Sequence, residues 1–234
     1  MKDRKNRNLK NENIGFSRRD FLKLSKNVAI GAGVAGALPA LIWLEDGVAA
    51  IPVSGGYLLV DSKKCQGCMS CMLACSLAHE GVESLSLARI QVVKNSFEKF
   101  PEDLNLGQCR QCVEPACMEA CPTGALHVDT EHGNIRTVNE KECIGCQECY
   151  NACPFTPKRA LYNPEKEKAL KCDLCSYTPF WEETGGPGGK QVCVEICPVN
   201  AIKFTDAVPV QKGDKGYQVN LRGRSWRRLG FPGS

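Results

Sequence analysis

Sixteen cysteines fall into four groups of four, and no other feature of this 234-residue chain restricts its fold as tightly. Cys65, Cys68, Cys71 and Cys75 are spaced C-x2-C-x2-C-x3-C, and Cys143, Cys146, Cys149 and Cys153 repeat that spacing. In Cys109, Cys112, Cys117 and Cys121 the middle interval widens to four residues. Cys172 and Cys175 stand apart from Cys193 and Cys197, across a 17-residue insertion. Every group closes with C-x3-C, and proline follows Cys121, Cys153 and Cys197. Beyond Ala50 cysteine makes up about 9 % of the residues, the level of a cross-linked or metal-held scaffold. The apolar fraction of 43 % counts those cysteines, and only 8 Phe, 3 Trp and 5 Tyr accompany them. An oily core is therefore thin, and what the cysteines bind must supply much of the stability.

The spacing has a direct chemical reading. Three thiolates two residues apart in a tight loop converge on one iron–sulfur cube. The fourth, three residues on, has entered a helix and faces a neighbouring cube, as in bacterial ferredoxin runs. The proline after it fits a first helical turn, where no N–H is needed. Other uses of cysteine fit poorly. Runs of three cysteines two apart cannot easily pair as disulfides within tight loops. Tetrahedral zinc would leave cysteines over, and no C-x-x-C is followed by the histidine that haem attachment needs. The three histidines, His79, His127 and His132, have no Rieske spacing and read as ordinary surface or turn residues. Four [4Fe–4S] clusters are the expected cofactors.

Residues 1–50 form a separate unit. Ser17-Arg18-Arg19-Asp20-Phe21-Leu22-Lys23 resembles the twin-arginine export consensus, and a weakly apolar run from Val28 to Leu44 follows it. Val48-Ala49-Ala50 offers small residues for cleavage. A twin-arginine signal peptide over 1–50 is expected, with the mature protein in the periplasm. A membrane anchor is the alternative, but the run holds three glycines and Pro39 and is short for a span. Gly31-Ala32-Gly33-Val34-Ala35-Gly36 satisfies G-x-G-x-x-G, yet no strand precedes it, so it does not predict a nucleotide site. These 50 residues carry nine Lys/Arg and five Asp/Glu, which is the entire net charge of +4. The balanced remainder gives no basis for nucleic-acid binding.

From Gly56 the chain reads as short elements between the cysteine runs. Strands are expected at Tyr57–Val60 and Arg89–Val93, and a hairpin at 124–138 around Glu131-His132-Gly133. Residues 185–189, rich in glycine, read as a flexible loop, and residues 206–234 as a basic C-terminal tail. That tail gathers Arg222, Arg224, Arg227 and Arg228 near Trp226 and Phe231, a composition suited to docking a partner. Lys63, Lys64, Arg110, Lys141 and Lys171 adjoin cysteines; they either offset cluster charge or form solvated surface.

Taken together, the quartets and the turns Cys121-Pro122-Thr123-Gly124-Ala125-Leu126 and Cys197-Pro198-Val199-Asn200-Ala201-Ile202 resemble a known family. It is the four-cluster ferredoxin-type electron-transfer subunit of molybdopterin oxidoreductases, such as dimethyl sulfoxide, polysulfide and nitrate reductases and formate dehydrogenases. The resemblance covers roughly Gly56 to Phe204. It implies an α+β fold over 51–205, with two ferredoxin-like double-cluster modules, short strands and helices, and a cluster-held core. It pairs the first group with the fourth and the second with the third. One cluster then takes Cys65, Cys68, Cys71 and Cys197, and its mate Cys75, Cys172, Cys175 and Cys193. The third takes Cys109, Cys112, Cys117 and Cys153, and the fourth Cys121, Cys143, Cys146 and Cys149. Two departures from the pattern are that Ser76, not proline, follows Cys75, and that the insertion precedes Cys193.

The implied role is a relay of single electrons between a catalytic molybdopterin subunit and another redox partner, such as a membrane quinone-reactive or cytochrome subunit. A tungstopterin aldehyde-oxidoreductase-type partner is the alternative, as is a membrane-tethered ferredoxin-like adaptor. No nucleophile–base signature is visible, so the chain is not expected to be an enzyme in its own right. A Lewis-acid cluster would need an iron without a protein ligand, and sixteen cysteines for four clusters leave none. Replacing Arg18 and Arg19 by lysine keeps the charge but removes the export motif. The expected outcome is a precursor retained in the cytoplasm, and fractionation showing normal periplasmic accumulation would contradict it.

Overall fold

A computed structural model describes residues 51–100, 102–213 and 215–228. The twin-arginine segment, the glycine run at 31–36 and Phe231 lie outside the described residues. The strands are all four residues long and pair two by two, antiparallel. β1 (Tyr57–Val60) lies against β8 (Ile202–Thr205), with Tyr57 opposite Thr205 and Val60 opposite Ile202. The other pairs are hairpins: β2 (Gln91–Lys94) with β3 (Leu104–Gly107), β4 (Leu126–Asp129) with β5 (Ile135–Val138), and β6 (Ala160–Asn163) with β7 (Lys168–Lys171). Between them lie α1 (Ser70–Glu80), α2 (Ala116–Glu119), α3 (Glu148–Ala152) and α4 (Val192–Glu195), and α5 (Arg224–Arg228) follows β8. α1 packs on α4, and α2 on α3. Among the described residues no helix is long and apolar enough to cross a membrane.

Strand β1 and the β4–β5 hairpin stand where the sequence puts them, and the hairpin turns on Gly133 and Asn134, both with positive φ. The strand expected at Arg89–Val93 occupies Gln91–Lys94. Hairpins β2–β3 and β6–β7 are not legible in the sequence. Each strand is too short to show a period, and Lys94, Asn105, Asn163 and Lys168 interrupt the apolar positions.

Cysteine is part of the core rather than an addition to it. Leu58, Val60, Ile90, Val92, Leu106 and Ile202 pack with Cys65, Cys71, Cys75, Cys172, Cys175 and Cys193. A smaller cluster sets Ala125, Leu126, Ala160 and Ala169 against Cys143 and Cys149. Few of these side chains are large, so removing what the thiols bind would leave little apolar burial to hold the short elements.

Three expectations are corrected. The glycine-rich stretch at 185–189 is a built turn: the Gly186 N–H donates to the Leu174 carbonyl, and Gln191 Nε2 donates back to the Gly186 carbonyl at 2.8 Å. A Cβ on Gly185 would stand 1.8 Å from the Cys175 carbonyl oxygen, so only glycine permits that approach. His79 is no surface residue; it is 5 % exposed on α1. Its apolar neighbours on the helix gave no sign of the carboxylate that reaches it from Asp173. The segment after β8 is not a free tail as far as Arg222. Val60 exchanges backbone hydrogen bonds with Tyr217 and Val219, and Tyr217 is 1 % exposed with its hydroxyl donating to the Arg110 carbonyl. Buried Asp61 accepts from the Leu221 N–H at 2.8 Å and from Arg222 Nε at 3.1 Å. This segment is held by backbone bonds, one aromatic ring and the Asp61 carboxylate, which leave no periodic trace.

Tyr217→Ala should lower stability by about 3 kcal/mol, in the range for truncating a buried aromatic. Deleting residues 223–234 should leave iron content unchanged. Denaturant titration and iron analysis of the two variants check both outcomes.

Candidate functional site

The local turn chemistry explains how three thiols of a group come to face one space. Cys68 is flanked by Gly67 and Met69, and Cys146 by Gly145 and Gln147, all four with φ between 61° and 70°. This alternation of left-handed residues curls the loop around the central cysteine. A Cβ on Gly145 would lie 2.4 Å from the Glu167 carbonyl oxygen, so the position admits only glycine. Met69 and Gln147 then start α1 and α3, and the last cysteine of each group leaves on or beyond that helix.

Twelve of the sixteen side chains line three cavities, four to each and each set drawn from two groups. Site A sets Cys65, Cys68, Cys71 and Cys197 around a cavity of about 20 Å³, which Val92, Leu106 and Ile202 also line. Site D sets Cys121, Cys143, Cys146 and Cys149 around another of about 20 Å³, with Leu126, Val138 and Ile144. Site C holds Cys109, Cys112, Cys117 and Cys153 around about 430 Å³, shared with Arg110, Arg136, Arg159 and Lys171. The remaining four, Cys75, Cys172, Cys175 and Cys193, called site B, are all buried, and Cys193 lies in the electrostatic field of the other three and of Cys71. All sixteen are free thiols. Among the described residues no three His, Cys, Asp or Glu side chains close tightly enough to hold a single metal ion.

The closing cysteine of each group receives a backbone N–H. Arg89 donates to Cys75 Sγ at 3.3 Å, Leu126 to Cys121 at 3.5 Å, Arg159 to Cys153 at 3.3 Å and Ala201 to Cys197 at 3.2 Å. Such bonds set an N–H dipole against the sulfur and tune its electron density. Burial opposes ionisation. It pushes the pKa of Cys71, Cys112 and Cys175 up to about 12 and that of Cys149 to about 11, with neighbouring thiols adding to the rise. It also raises Cys172 and Cys193 well above the ordinary value. These thiols ionise only with positive charge supplied among them, as the irons of a cluster would do.

Site C also carries fixed positive charge. Arg110, Arg136, Arg159 and Lys171 are at most 6 % exposed. Arg136 Nε and Nη2, and Arg159 Nε and Nη1, are buried without a hydrogen-bond partner. Burial holds both guanidinium pKa values below the ordinary arginine value. For Lys171 burial is the largest influence and lowers the pKa, but the Cys109 and Cys117 thiolates more than offset it. Orphaned donors around a thiol-lined cavity call for an anionic, sulfur-rich occupant, and a [4Fe–4S] cube fits that description. Of the five cations adjoining cysteines, Arg110 and Lys171 thus face a site. Lys63 instead pairs with Glu102 at the surface, Lys64 donates to the Asn200 and Leu221 carbonyls, and Lys141 is exposed.

Beside site B, Asp173 is 1 % exposed and accepts from His79 Nε2 at 2.9 Å and from Arg89 Nη1 at 2.8 Å. Arg89 also reaches Glu80 at 3.4 Å. Burial opposes a charged imidazole, but Asp173 and Cys75 outweigh it and raise the His79 pKa to about 9. Gln111, wholly buried, joins sites B and C: it donates to the Cys172 carbonyl and accepts from the Arg136 N–H, each at 2.7 Å. Sequence reasoning missed Arg136, Arg159, Gln111 and Asp173. Arg136 sits in a strand where Ile135 and Thr137 are buried as well, so no alternation marks it.

Two family models and several known proteins resemble this chain. A 4Fe–4S dicluster domain model matches residues 103–207, and a 4Fe–4S binding domain model matches 62–78. The polyferredoxin-like subunit of an aliphatic sulfonate oxidoreductase from Pyrococcus furiosus is 39 % identical over 60 % of this chain and 70 % of its own length. The thiosulfate reductase electron transfer subunit PhsB of Salmonella typhi is 35 % identical, over 63 % of this chain and 73 % of that protein. The uncharacterized ferredoxin-like protein YdhY of Escherichia coli is 32 % identical, over 74 % and 89 % respectively.

Asp173→Ala leaves the buried His79 and Arg89 cations without their shared carboxylate. The expected cost is about 3–5 kcal/mol, the range for breaking a buried pair. A lower urea midpoint for cluster loss, followed by visible absorbance, checks it.

Proposed function

The chain belongs to the 4Fe–4S dicluster family of oxidoreductase electron-transfer subunits, and from that membership we propose that it holds four [4Fe–4S] clusters, at sites A to D, as a relay in single file. The observation that carries this reading is the way neighbouring sites share chain segments. Cys71 of site A and Cys75 of site B lie one turn apart on α1. Lys171 lines site C while the next residue, Cys172, belongs to site B. Cys117 of site C is on α2, and Cys121 of site D follows that helix directly. The order A, B, C, D is thus written into short covalent steps.

Each cluster, when bound, accepts and returns one electron through its iron–thiolate framework. The protein's part is to hold and tune. The thiols ligate, the N–H groups of Arg89, Leu126, Arg159 and Ala201 draw density from the closing sulfurs, and sites A and D have mainly apolar walls. With every cysteine used as a ligand, no iron is left open for a substrate, so the chain acts as a non-catalytic subunit. The packing of α1 on α4 and of α2 on α3 supports reading the fold as two ferredoxin-like modules, one holding sites A and B and the other sites C and D. The catalytic partner is a pterin-cofactor subunit, molybdopterin first and tungstopterin second. A membrane quinone-reactive or cytochrome subunit is the other end of the relay. The twin-arginine segment at 1–50 directs the chain to the periplasm, and Arg224 and Arg228, exposed on α5, offer a docking surface.

Cysteine exchange between groups gives the decisive experiment. In the Cys75→Ser variant the cluster of Cys65, Cys68 and Cys71 keeps four thiolates, including Cys197, while that of Cys172, Cys175 and Cys193 becomes labile or three-iron. Cys197→Ser does the reverse. Electron paramagnetic resonance with stepwise reduction reads which signal changes. Conversion of the cluster of Cys65, Cys68 and Cys71 by the Cys75 variant would show four local quartets instead. Metal analysis of the complex co-purified from the native host identifies the pterin partner.

A further inference from the structure

We infer that site C holds the most readily reduced cluster of the four, because three buried cations, Arg136, Arg159 and Lys171, face it without a carboxylate to balance them. The inference rests on the reading that Cys109, Cys112, Cys117 and Cys153 ligate a cubane. Reduction moves one electron from a donor onto that cubane, one ferric ion becoming ferrous. No bond forms or breaks and no proton is taken up, so the added negative charge stays where the protein must answer it. Positive charge fixed nearby in a poorly screened interior stabilises the reduced form more than the oxidised one.

The contrast between sites carries the inference. Among the described residues no charged side chain lines site A or site D. At site B the buried cations His79 and Arg89 face Asp173 and Glu80, both almost wholly buried, Glu80 being shared with the half-exposed Lys166. At site C, Arg136 is 0 %, Lys171 4 % and Arg159 6 % exposed, and among the described residues none of them is paired with an Asp or Glu. Glu114, at the rim of the cavity, is exposed to solvent. A buried guanidinium with idle N–H groups is costly unless something repays it, and the structure makes room for this one. A Cβ on Gly107 would stand 1.8 Å from Arg159 Nη1, so glycine there lets the guanidinium lie over strand β3. Lys171 is held in place by donating to the Arg136 carbonyl. In the file A, B, C, D an electron therefore settles at C before its last step, and C stays reduced under conditions that leave the others oxidised.

The test is a redox titration of the full chain, loaded with iron and sulfide under anaerobic conditions and followed by electron paramagnetic resonance. Arg159→Gln and Lys171→Gln are each compared with the unaltered protein. Either variant should make the first-reduced signal at least tenfold harder to reduce, a fall of about 59 mV for one electron. The other three signals should stay in place, and Arg159→Lys, which keeps the charge, should restore most of the loss. Should one substitution fail to fold, the other provides the same readout. Iron and acid-labile sulfide are measured first in the unaltered chain. A chain that does not load four irons per thiol quartet overturns the four-cluster reading and this inference with it. A fully loaded chain whose first-reduced signal is unmoved, or in which a different signal moves, overturns this inference alone.

Discussion

The structure depends on one electrostatic constraint: buried thiols cannot ionise unless positive charge is placed among them. Most of the sixteen are shielded from water, and burial raises the pKa of those at the centre of each set, such as Cys71, Cys112, Cys175 and Cys193. A fold with four-residue strands and, apart from the 11-residue α1, helices of about one turn cannot meet that cost with apolar burial. The thiols and the core are the same side chains, so binding and folding are a single equilibrium. Backbone N–H groups complete the arrangement by turning towards the closing sulfurs, a role open to any sequence with the right turn.

How much of this could be read from the residues depends on which interaction is at work. The cysteine groups are legible because a thiol ligand admits no substitute and its spacing is fixed by the loop. Strand β1 and the β4–β5 hairpin are legible because apolar residues alternate with a glycine turn between them. Hairpins β2–β3 and β6–β7 are not, since their pairing is mainly backbone and their side chains are mixed. Arg136 and Asp173 are the clearest misses. A charged residue in a strand or beside a cysteine is usually solvated, and only the arrival of distant segments shows that these two are buried. The C-terminal segment escaped notice for a similar reason, its attachment resting on Asp61 and on the β1 edge.

The C-x3-C spacing emerges as a device for placing two cysteines one turn apart in two different sites. Cys71 and Cys75 share α1, while α2, α3 and α4 carry Cys117, Cys149 and Cys193 and the closing cysteine of each group follows its helix. A helix of one turn is enough, because residues four apart stand one above the other on the same face, about 6 Å apart along the axis, so each can serve a different site. This explains why α2, α3 and α4 can be so brief. Lengthening them would move the sites apart without adding a ligand.

The pairing of β1 with β8 bears on how the protein is made. Sites C and D draw only on Cys109 to Cys153, so a chain growing from its N-terminus can complete them while later residues are still being added. Site A cannot close until Cys197 has left the ribosome and β8 has come back to β1. The first thiols translated are therefore among the last to meet their partners. For most of synthesis Cys65, Cys68 and Cys71 stand open to oxidation and to stray metals, which ties the making of this protein to a reducing cell interior.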